Sequence, residues 1–315
     1  MKKLVSLVLA LMLCLSCVSA LAAEAWTVTC PWAPSGVAAM VNQKAASTTY
    51  SQDYVLVANA EKGDTATINS WLTKYTEADP QMCFIGEGMF GITAILDPER
   101  MNFTYDDFEY VENLYSSIFV ASARKELGIT SIDALKAYLE EGNQIMVGTN
   151  GATGSEAFLA AALIGAMGYG DQFYLIPYES AAEAAQAVAR GEVDIAVSHQ
   201  SQILETWQQG GVDVFAAFDG EPIAQGPFKG VEGVGQYGYP YFRNRCFIFA
   251  KAGADEQKIA DLKALYAQIL TDEEMVDWLN NTMLLEADMM TEEEVIAHID
   301  NVKNIVEEYY DLVAE

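Results

Sequence analysis

The chain has 315 residues and carries 45 acidic residues against 17 lysines and arginines, which gives a net charge of −28 at pH 7. This excess of negative charge excludes nucleic acid as a partner, because phosphates require a basic binding surface. It does not exclude a small anion, since salt confines the influence of exposed charges to about 8 Å and local hydrogen-bond donors then decide binding.

The N-terminus is typical of a secretory signal peptide at 1–22. Two lysines precede an apolar run at 4–16, and Ala20-Leu21-Ala22 has the small-x-small pattern of a signal peptidase site. The apolar run is shorter than the roughly 20 residues that a membrane span needs. A lipid anchor at Cys17 is an alternative to simple release. We therefore expect an extracytoplasmic protein, in the periplasm or on the outer cell surface.

Beyond the signal, apolar β-rich runs alternate with helical patterns as far as residue 250. After residue 251 the patterns are purely helical, with Asp255, Thr271 and Thr291 as predicted N-caps. This alternation predicts an α/β fold with parallel sheets. The predicted strands are 26–30, 54–58, 82–86, 118–122, 145–148, 173–176, 193–197, 212–218 and 246–250, and the predicted helices between them are 37–47, 65–75, 132–140, 155–167, 181–189 and 200–208.

The length of the mature chain is sufficient for two lobes. No flexible linker separates them in the sequence, so we expect the chain to cross between lobes on continuous strands, near 115–124 and 240–248. The predicted organisation is a discontinuous first lobe at 23–120 and 243–315 and a second lobe at 121–242.

Three cysteines follow the signal: Cys30, Cys83 and Cys246. An odd number of widely spaced cysteines is neither a disulfide framework nor a zinc pattern. All three lie in predicted strands, which favours buried structural thiols. A bridge between Cys30 and Cys83 is an alternative, because their strands are expected to lie side by side.

The segment 176–197 predicts a compact strand–helix–strand unit. Ser180 and Glu183 have the spacing of a capping box, and Gly191 follows the helix where a left-handed residue is needed. Such units belong to open parallel sheets, in which ligands bind at the carboxyl ends of the strands.

A glycine-rich loop at 148–155 leads into a predicted helix. Its three glycines allow close backbone approach, and the helix N-terminus offers unpaired N–H groups to an anion. An ordinary strand-to-helix turn is the alternative. No lysine follows the last glycine, so the loop is not a P-loop. We interpret Glu156 as the capping-box partner of Thr153 rather than as a catalytic acid.

Two further loops, at 32–36 and 59–65, also run from a strand end into a helix. The three loops are expected to converge on one cleft. None of them carries an obvious nucleophile.

The chain has only two histidines, and neither lies near a cysteine or aspartate cluster. We therefore expect no metal site, no cofactor and no Ser-His catalysis. His199 follows a strand and is either a ligand donor or a solvated loop residue. His298 is predicted to lie on the surface. Arg243 and Arg245 either meet an anion in the cleft or pair with acidic surface residues.

Four segments in register resemble one family. These are CPWAPSG at 30–36, Asn59 with Gly63, VGTNGATGSE at 147–156 and PYESAAEAAQAVARGEVD at 177–194. Together they resemble the substrate-binding proteins of tripartite tricarboxylate transporters, the Bug-type extracytoplasmic receptors. The resemblance implies a two-lobed, periplasmic-binding-protein-like fold of type II, in which each lobe is a mainly parallel sheet flanked by helices.

This chain departs from the family pattern at several positions. Ser35 replaces a glycine, Ala39 or Met40 stands where an acidic residue often ends the first loop, and Glu156 stands where the family often has histidine or a small residue. The second loop is poor in glycine and carries Lys62. These departures concern the identity of the ligand more than the fold.

The function that the resemblance implies is capture of a di- or tricarboxylate or a related organic acid. The receptor would deliver this ligand, as a monomer and without catalysis, to integral membrane transporter subunits. The alternatives are a secreted enzyme, which needs paired carboxylates or a nucleophile–base pair in the cleft, and a sensor protein that feeds a two-component system. The expected ligand contacts are Trp32, Ala33, Pro34, Ser35, Gly36, Asn59, Lys62, Gly63, Thr65, Thr149, Asn150, Gly151, Thr153, Gly154, Ser155, Tyr178 and His199.

Overall fold

The computed structural model describes residues 23–48 and 50–313, so the predicted signal peptide and Cys17 lie outside the described residues. The strands of the described part form two five-stranded sheets. They are β1 (Glu24–Cys30), β2 (Tyr54–Ala60), β3 (Gln81–Gly86), β4 (Phe108–Ser117), β5 (Phe119–Arg124), β6 (Ile145–Asn150), β7 (Phe173–Tyr178), β8 (Ile195–His199), β9 (Val212–Ala217) and β10 (Asn244–Lys251).

Helices connect most of the parallel strands and fill the C-terminal region. The longer ones are α1 (Val37–Ala46), α2 (Thr65–Lys74), α3 (Ile132–Glu140), α4 (Ser155–Ala166), α5 (Ala181–Ala189), α6 (Gln200–Gln208), α7 (Glu256–Thr271), α8 (Glu273–Trp278), α9 (Glu292–Glu308) and α10 (Tyr310–Val313). Short helical turns occur at Met89–Thr93, Ala94–Leu96, Pro98–Arg100, Tyr105–Asp107, Lys125–Leu127, Val234–Tyr237 and Leu279–Met283.

The two sheets have related topologies. The strand order is β2-β1-β3-β10-β4 in the first sheet and β7-β6-β8-β5-β9 in the second. In each sheet the first three strands in this order are parallel to one another. The fourth strand, β10 or β5, is antiparallel to both of its neighbours, β3 and β4 or β8 and β9. The α/β architecture is as predicted, and each sheet is mixed: four strands run in one direction, and the fifth, β10 or β5, runs antiparallel to them.

Strand β4 is the one strand that the sequence pattern did not predict. It lies at an edge of the first sheet and pairs with β10. Its sequence FEYVENLYSS interrupts the apolar run with Glu109, Glu112 and Asn113. Asn113 is nevertheless buried, because its side chain donates to the Asp288 carbonyl and accepts from the Cys246 N–H.

The predicted helix starts are confirmed in part. Thr291 forms a capping box with Glu294, Asp255 caps α7, and the Ser180 hydroxyl accepts from the Glu183 N–H at the start of α5. The prediction for Thr271 is wrong. Its hydroxyl donates to the Ala267 carbonyl within α7, and the next helix is capped instead by the residue after it, Asp272.

The chain passes from the first sheet to the second with little interruption. Only Ile118 separates β4 from β5, whereas the return path at 218–243 is largely irregular before β10 begins. Helix α9 contributes to the cores of both lobes. Its Val295 belongs to the hydrophobic cluster of the first sheet, and its Val302 belongs to a cluster of the second lobe.

The three cysteines are free and buried, as structural thiols were predicted to be, and the alternative Cys30–Cys83 bridge is not formed. Burial raises the pKa of Cys30 to about 12 and raises the pKa values of Cys83 and Cys246 well above their usual range. In the stretches 23–48 and 50–313, no helix combines the length and apolar character of a membrane span.

Candidate functional site

A cavity of about 360 Å³ lies between the two lobes. Its walls come mainly from loops that follow parallel strands, so the carboxyl ends of strands from both sheets meet there. Trp32 follows β1, Glu87 follows β3, Asn150 ends β6 and Glu179 follows β7. The site is therefore shared between the lobes.

The structure brings most of the predicted contacts to this cavity. The predicted residues that line it are Trp32, Ala33, Gly36, Lys62, Gly63, Asn150, Gly151, Thr153, Gly154, Ser155, Tyr178 and His199.

Five predicted contacts do not line the cavity. Pro34 and Ser35 are exposed in the loop that follows β1. The Asn59 amide donates to the Glu61 carboxylate at 2.8 Å. Thr65 and Thr149 are buried, and the Thr149 hydroxyl donates to the Gly151 carbonyl at 2.7 Å. Thr149 thus holds the glycine loop in place through this hydrogen bond without lining the cavity.

Other lining residues, which lie after β3, on β4, β5 and β10, at Arg100 and on α6, were not predicted from the sequence. The loop Gly86-Glu87-Gly88 has the same strand-end glycine signal as the predicted loops, so the pattern could have identified it. Residues on β10 carry no such signal, because β10 enters the site antiparallel to its neighbours. The missed residues that matter most are Glu87, Arg100, Tyr115, Phe119, Gln202 and Asn244.

Two helix N-termini point at the cavity. Helices α1 and α4 start after Gly36 and Gly154, and neither start is capped by a side chain. The first N–H groups of each helix have no intrahelical partner and carry partial positive charge. The first turn of α1 has no acidic residue, whereas the first turn of α4 contains Glu156.

Glu87 is fully buried in the cavity wall. Its carboxylate accepts from the Ser155 hydroxyl at 2.9 Å, from the Asn244 amide at 3.0 Å and from the Arg245 backbone N–H at 2.9 Å. Burial raises the pKa of Glu87, and these hydrogen bonds oppose the shift without cancelling it.

Glu156 does not have the role that the sequence analysis assigned to it. The N-cap of α4 is Gly154, so no capping box forms with Thr153. Glu156 is only 6% exposed and lines the cavity. Burial raises the pKa of its carboxyl to about 7, and the nearby Glu87 adds to this rise.

His199 is buried rather than solvated, and it lines the cavity. Its Nδ1 lies 2.8 Å from the Ser117 hydroxyl, and its ring packs on Phe119. Burial lowers the pKa of His199 to about 3, which makes the imidazole a weak base. An imidazole of such low basicity does not activate the Ser117 hydroxyl as a nucleophile.

Charged side chains at the rim join the two lobes. Lys62 Nζ lies 2.7 Å from Glu179 Oε2, and the Arg100 guanidinium donates to the Thr153 hydroxyl at 2.9 Å. Arg100 also lies 3.3 Å from Asp64. Both cationic side chains already have acidic partners across or beside the opening.

Arg243 and Arg245 both pair with acidic side chains, and Arg245 also lines the cavity. Arg243 contacts Asp219 and Glu286, and Arg245 lies 2.7 Å from Asp288. Arg245 also contacts Nδ1 of His298 at 2.9 Å. The prediction that His298 lies on the surface is wrong, because that side chain is buried against Arg245.

Several solved structures are similar to this chain. The periplasmic binding protein BugD superposes with a TM-score of 0.78 at 16% identity, over 92% of this chain and 98% of that one. The Rhodopseudomonas palustris protein MatC with bound malate superposes with a TM-score of 0.74 at 18% identity (92% and 98% covered). The R. palustris protein Rpa4515 with adipate gives 0.79 at 14% identity (91% and 96% covered).

These similarities confirm the predicted two-lobed fold of periplasmic binding proteins. No curated protein sequence is significantly similar to the chain. The model of the tripartite tricarboxylate transporter family receptors matches residues 77–305, which is most of the chain. A shared cleft lined by strand ends of both lobes agrees with that match, and the chain belongs to the tripartite tricarboxylate transporter receptor family.

Proposed function

We propose that the protein is an extracytoplasmic receptor that binds a small organic acid in the cavity between its lobes and delivers it to integral membrane transporter subunits. Membership of the receptor family carries this proposal. It is supported by the similarity to proteins whose structures contain malate or adipate. The cavity volume fits a small molecule rather than a polymer.

The start of α1 is the proposed carboxylate site. Val37 and Ala38 belong to its first turn and line the cavity, and the N–H groups of that turn have no intrahelical partner. A carboxylate gains about 0.3–1 kcal/mol from a helix dipole, before its hydrogen bonds are counted. No acidic side chain of that turn competes for the position.

We further propose that the two lobes close around the ligand as bodies bounded at 23–120 with 243–315 and at 121–242. The short connection at Ile118 and the path at 218–243 support this division, because hinges use a few residues at element ends. Small-angle scattering with and without ligand measures the radius of gyration. An unchanged radius at saturation contradicts closure.

The test of the main proposal is a thermal-shift screen of the chain from residue 23 onward against mono-, di- and tricarboxylates. A ligand present at 100 times its dissociation constant adds about 2.7 kcal/mol to the free energy of unfolding. Calorimetric titration then gives the affinity of the best acid. Tight binding of a neutral sugar or peptide, with no response to any organic acid, overturns the proposal.

A further inference from the structure

The cavity contains more acidic than basic side chains. Its acidic lining residues are Asp64, Glu87, Glu156 and Glu179, and its lysines and arginines are Lys62, Arg100 and Arg245. Each of these cations already lies within ion-pair distance of an acid, respectively Glu179, Asp64 and Asp288. A bound organic acid adds further negative charge to this cavity, so a compensating positive charge favours its binding.

Glu87 is held in the cavity wall as a carboxylate. Its Oε1 accepts from the Ser155 hydroxyl and the Asn244 amide, and its Oε2 accepts from the same amide and from the Arg245 backbone N–H. A carboxylate offers about two acceptor positions on each oxygen. A proton on Glu87 would therefore displace one of these donors.

Glu156 lies in the same cavity in a different environment. Its carboxyl lies beside the glycine loop, since a Cβ added at Gly154 would lie 3.5 Å from Glu156 Oε2. Within the described part of the chain, no lysine or arginine lies within ion-pair distance of it. The Asn150 side chain favours its charged form, but burial, which is the largest effect, and the nearby Glu87 and Asp64 disfavour that form.

Other titratable groups around Glu156 are poorer sites for an additional proton. Helix α4 packs against β6, β7, β8 and α10, whose titratable side chains are Tyr174, Tyr178, His199, Tyr310 and Asp311. Of these, Tyr174, Tyr310 and Asp311 are exposed, and burial makes His199 a weak base. Tyr115 and Cys246, which line the cavity, already carry their protons, because burial raises their pKa values.

We propose that the protein binds its organic acid together with a proton, and that the carboxyl of Glu156 holds this proton. The inference rests on the proposed function, since the negative charge of the ligand drives the uptake. The start of α1, which is the proposed carboxylate site, and Glu156 line one cavity of about 360 Å³. Like charges at such short range disfavour joint ionisation. The protonated carboxyl also becomes an O–H donor for a ligand oxygen.

The pH range of the effect follows from the group itself. Burial raises the pKa of Glu156 to about 7 without ligand, and a bound anion raises this pKa further. Well below pH 7 the carboxyl is protonated with or without ligand, so the affinity does not change. Above pH 7 the proton must enter with the ligand, so the affinity decreases as pH increases.

Proton uptake is measured by calorimetric titration at pH 7.5 in phosphate, HEPES and Tris, buffers that differ in ionisation enthalpy. The ligands are succinate, L-malate, adipate and citrate, and the acid that binds most tightly is carried forward. We expect an uptake of about 0.5 proton or more per ligand, and an affinity at least about three-fold lower at pH 8.5 than at pH 7.

Two outcomes separate this inference from the proposed function. Binding of an acid without proton uptake overturns the inference and leaves the proposed function intact. Failure of all four acids to bind, together with tight binding of a neutral sugar, overturns the proposed function and this inference with it.

A charge-removing variant locates the proton. Glu156→Gln places a neutral side chain of the same size, so we expect no proton uptake and an affinity that does not change with pH. At pH 8.5 this variant should bind the acid at least about three-fold more tightly than the parent protein. A purely structural role of Glu156 would instead weaken binding at every pH and leave the uptake unchanged, which contradicts the inference.

Three further variants complete the comparison. Glu192→Gln is the matched control and should keep the parent uptake, because Glu192 is exposed and pairs with Arg190. Glu87→Gln and His199→Gln remove the other two buried titratable candidates. Loss of uptake in either of these variants, with uptake retained in Glu156→Gln, overturns the assignment to Glu156.

Discussion

The Ser155 hydroxyl donates to the Glu87 carboxylate at 2.9 Å, and this hydrogen bond joins the two lobes at the wall of the cavity. Ser155 is the first residue of α4, and Glu87 follows β3. The site thus contains a buried polar contact between two parts of the fold that lie 68 residues apart in the chain.

Removal of this contact is expected to destabilise the protein. Ser155→Ala removes a donor from a buried carboxylate and costs about 1–3 kcal/mol. Gly88→Ala acts on the same contact, because an added Cβ would lie 2.7 Å from the Ser155 hydroxyl oxygen. Urea unfolding of both single variants and the double variant measures the free energies. The two changes share one hydrogen bond, so fully additive effects contradict the assignment.

The glycine loop is expected to matter more for binding than Lys62 does. Gly154→Val places a side chain whose Cβ lies 3.1 Å from the Asn150 carbonyl and 3.5 Å from the Glu156 carboxylate, so it obstructs the cavity. Lys62→Ala removes a cation whose partner is already Glu179. We expect at least a ten-fold loss of affinity in the first variant and a smaller loss in the second. Gly170→Val is the control, since an added Cβ there meets only ordinary contact at 3.9 Å.

This comparison has a clear contrary outcome. If Gly154→Val binds the best acid normally while Lys62→Ala abolishes binding, charge pairing dominates and the assignment of the glycine loop is wrong.

The Lys62–Glu179 pair at the rim is expected to affect ligand exchange more than stability. Both side chains are largely exposed, at 55% and 77%, and exposed ion pairs contribute little to folding. Lys62→Glu should therefore leave the melting temperature nearly unchanged and accelerate ligand dissociation, measured by stopped flow. The exchanged pair Lys62→Glu with Glu179→Lys should restore slow dissociation. Failure of the exchange to restore it shows that the pair does not hold the lobes together.

The two buried histidines are expected to destabilise the protein in acid, whereas Glu156, whose pKa is raised to about 7, contributes in the opposite direction. Burial lowers the folded pKa values of His199 and His298 from 6.5 to about 3. Between these values the unfolded chain binds protons that the folded protein does not, so stability falls as pH decreases from 6.5 towards 3. The slope is up to about 1.4 kcal/mol per pH unit for each histidine.

Replacement of one histidine isolates its share. His199→Gln removes one of the two proton-uptake sites, so denaturant unfolding from pH 7 to pH 4 should show a shallower loss of stability than the parent protein. An identical slope in both proteins contradicts the buried, neutral state of His199.

The thiols are expected to be unreactive in the folded protein. Burial raises the pKa values of Cys30, Cys83 and Cys246, so little thiolate exists at pH 8. Mass spectrometry after iodoacetamide treatment should show no alkylation of the native chain from residue 23 onward and three alkylated cysteines after denaturation. Rapid alkylation of the native protein contradicts the burial of these residues.

The local sequence determined most of the secondary structure, and it indicated that the site lies at the carboxyl ends of the parallel strands. Helices α1 to α6 were predictable because their apolar spacing and their start and stop residues lie within a few positions of one another. The loops at Gly36, Gly63 and Gly154 pointed to the cavity, because glycine before a helix marks the carboxyl end of a parallel strand.

Only the tertiary structure placed the residues that give the cavity its charge. Strand β4 is stabilised by distant contacts such as Asn113 with Asp288, so its own sequence signal is weak. Glu87 and Glu156 come from different lobes and both line the cavity, and Arg245 is paired with Asp288. Such pairings depend on the register of strands that are far apart in the chain, and no local pattern of residue types encodes that register.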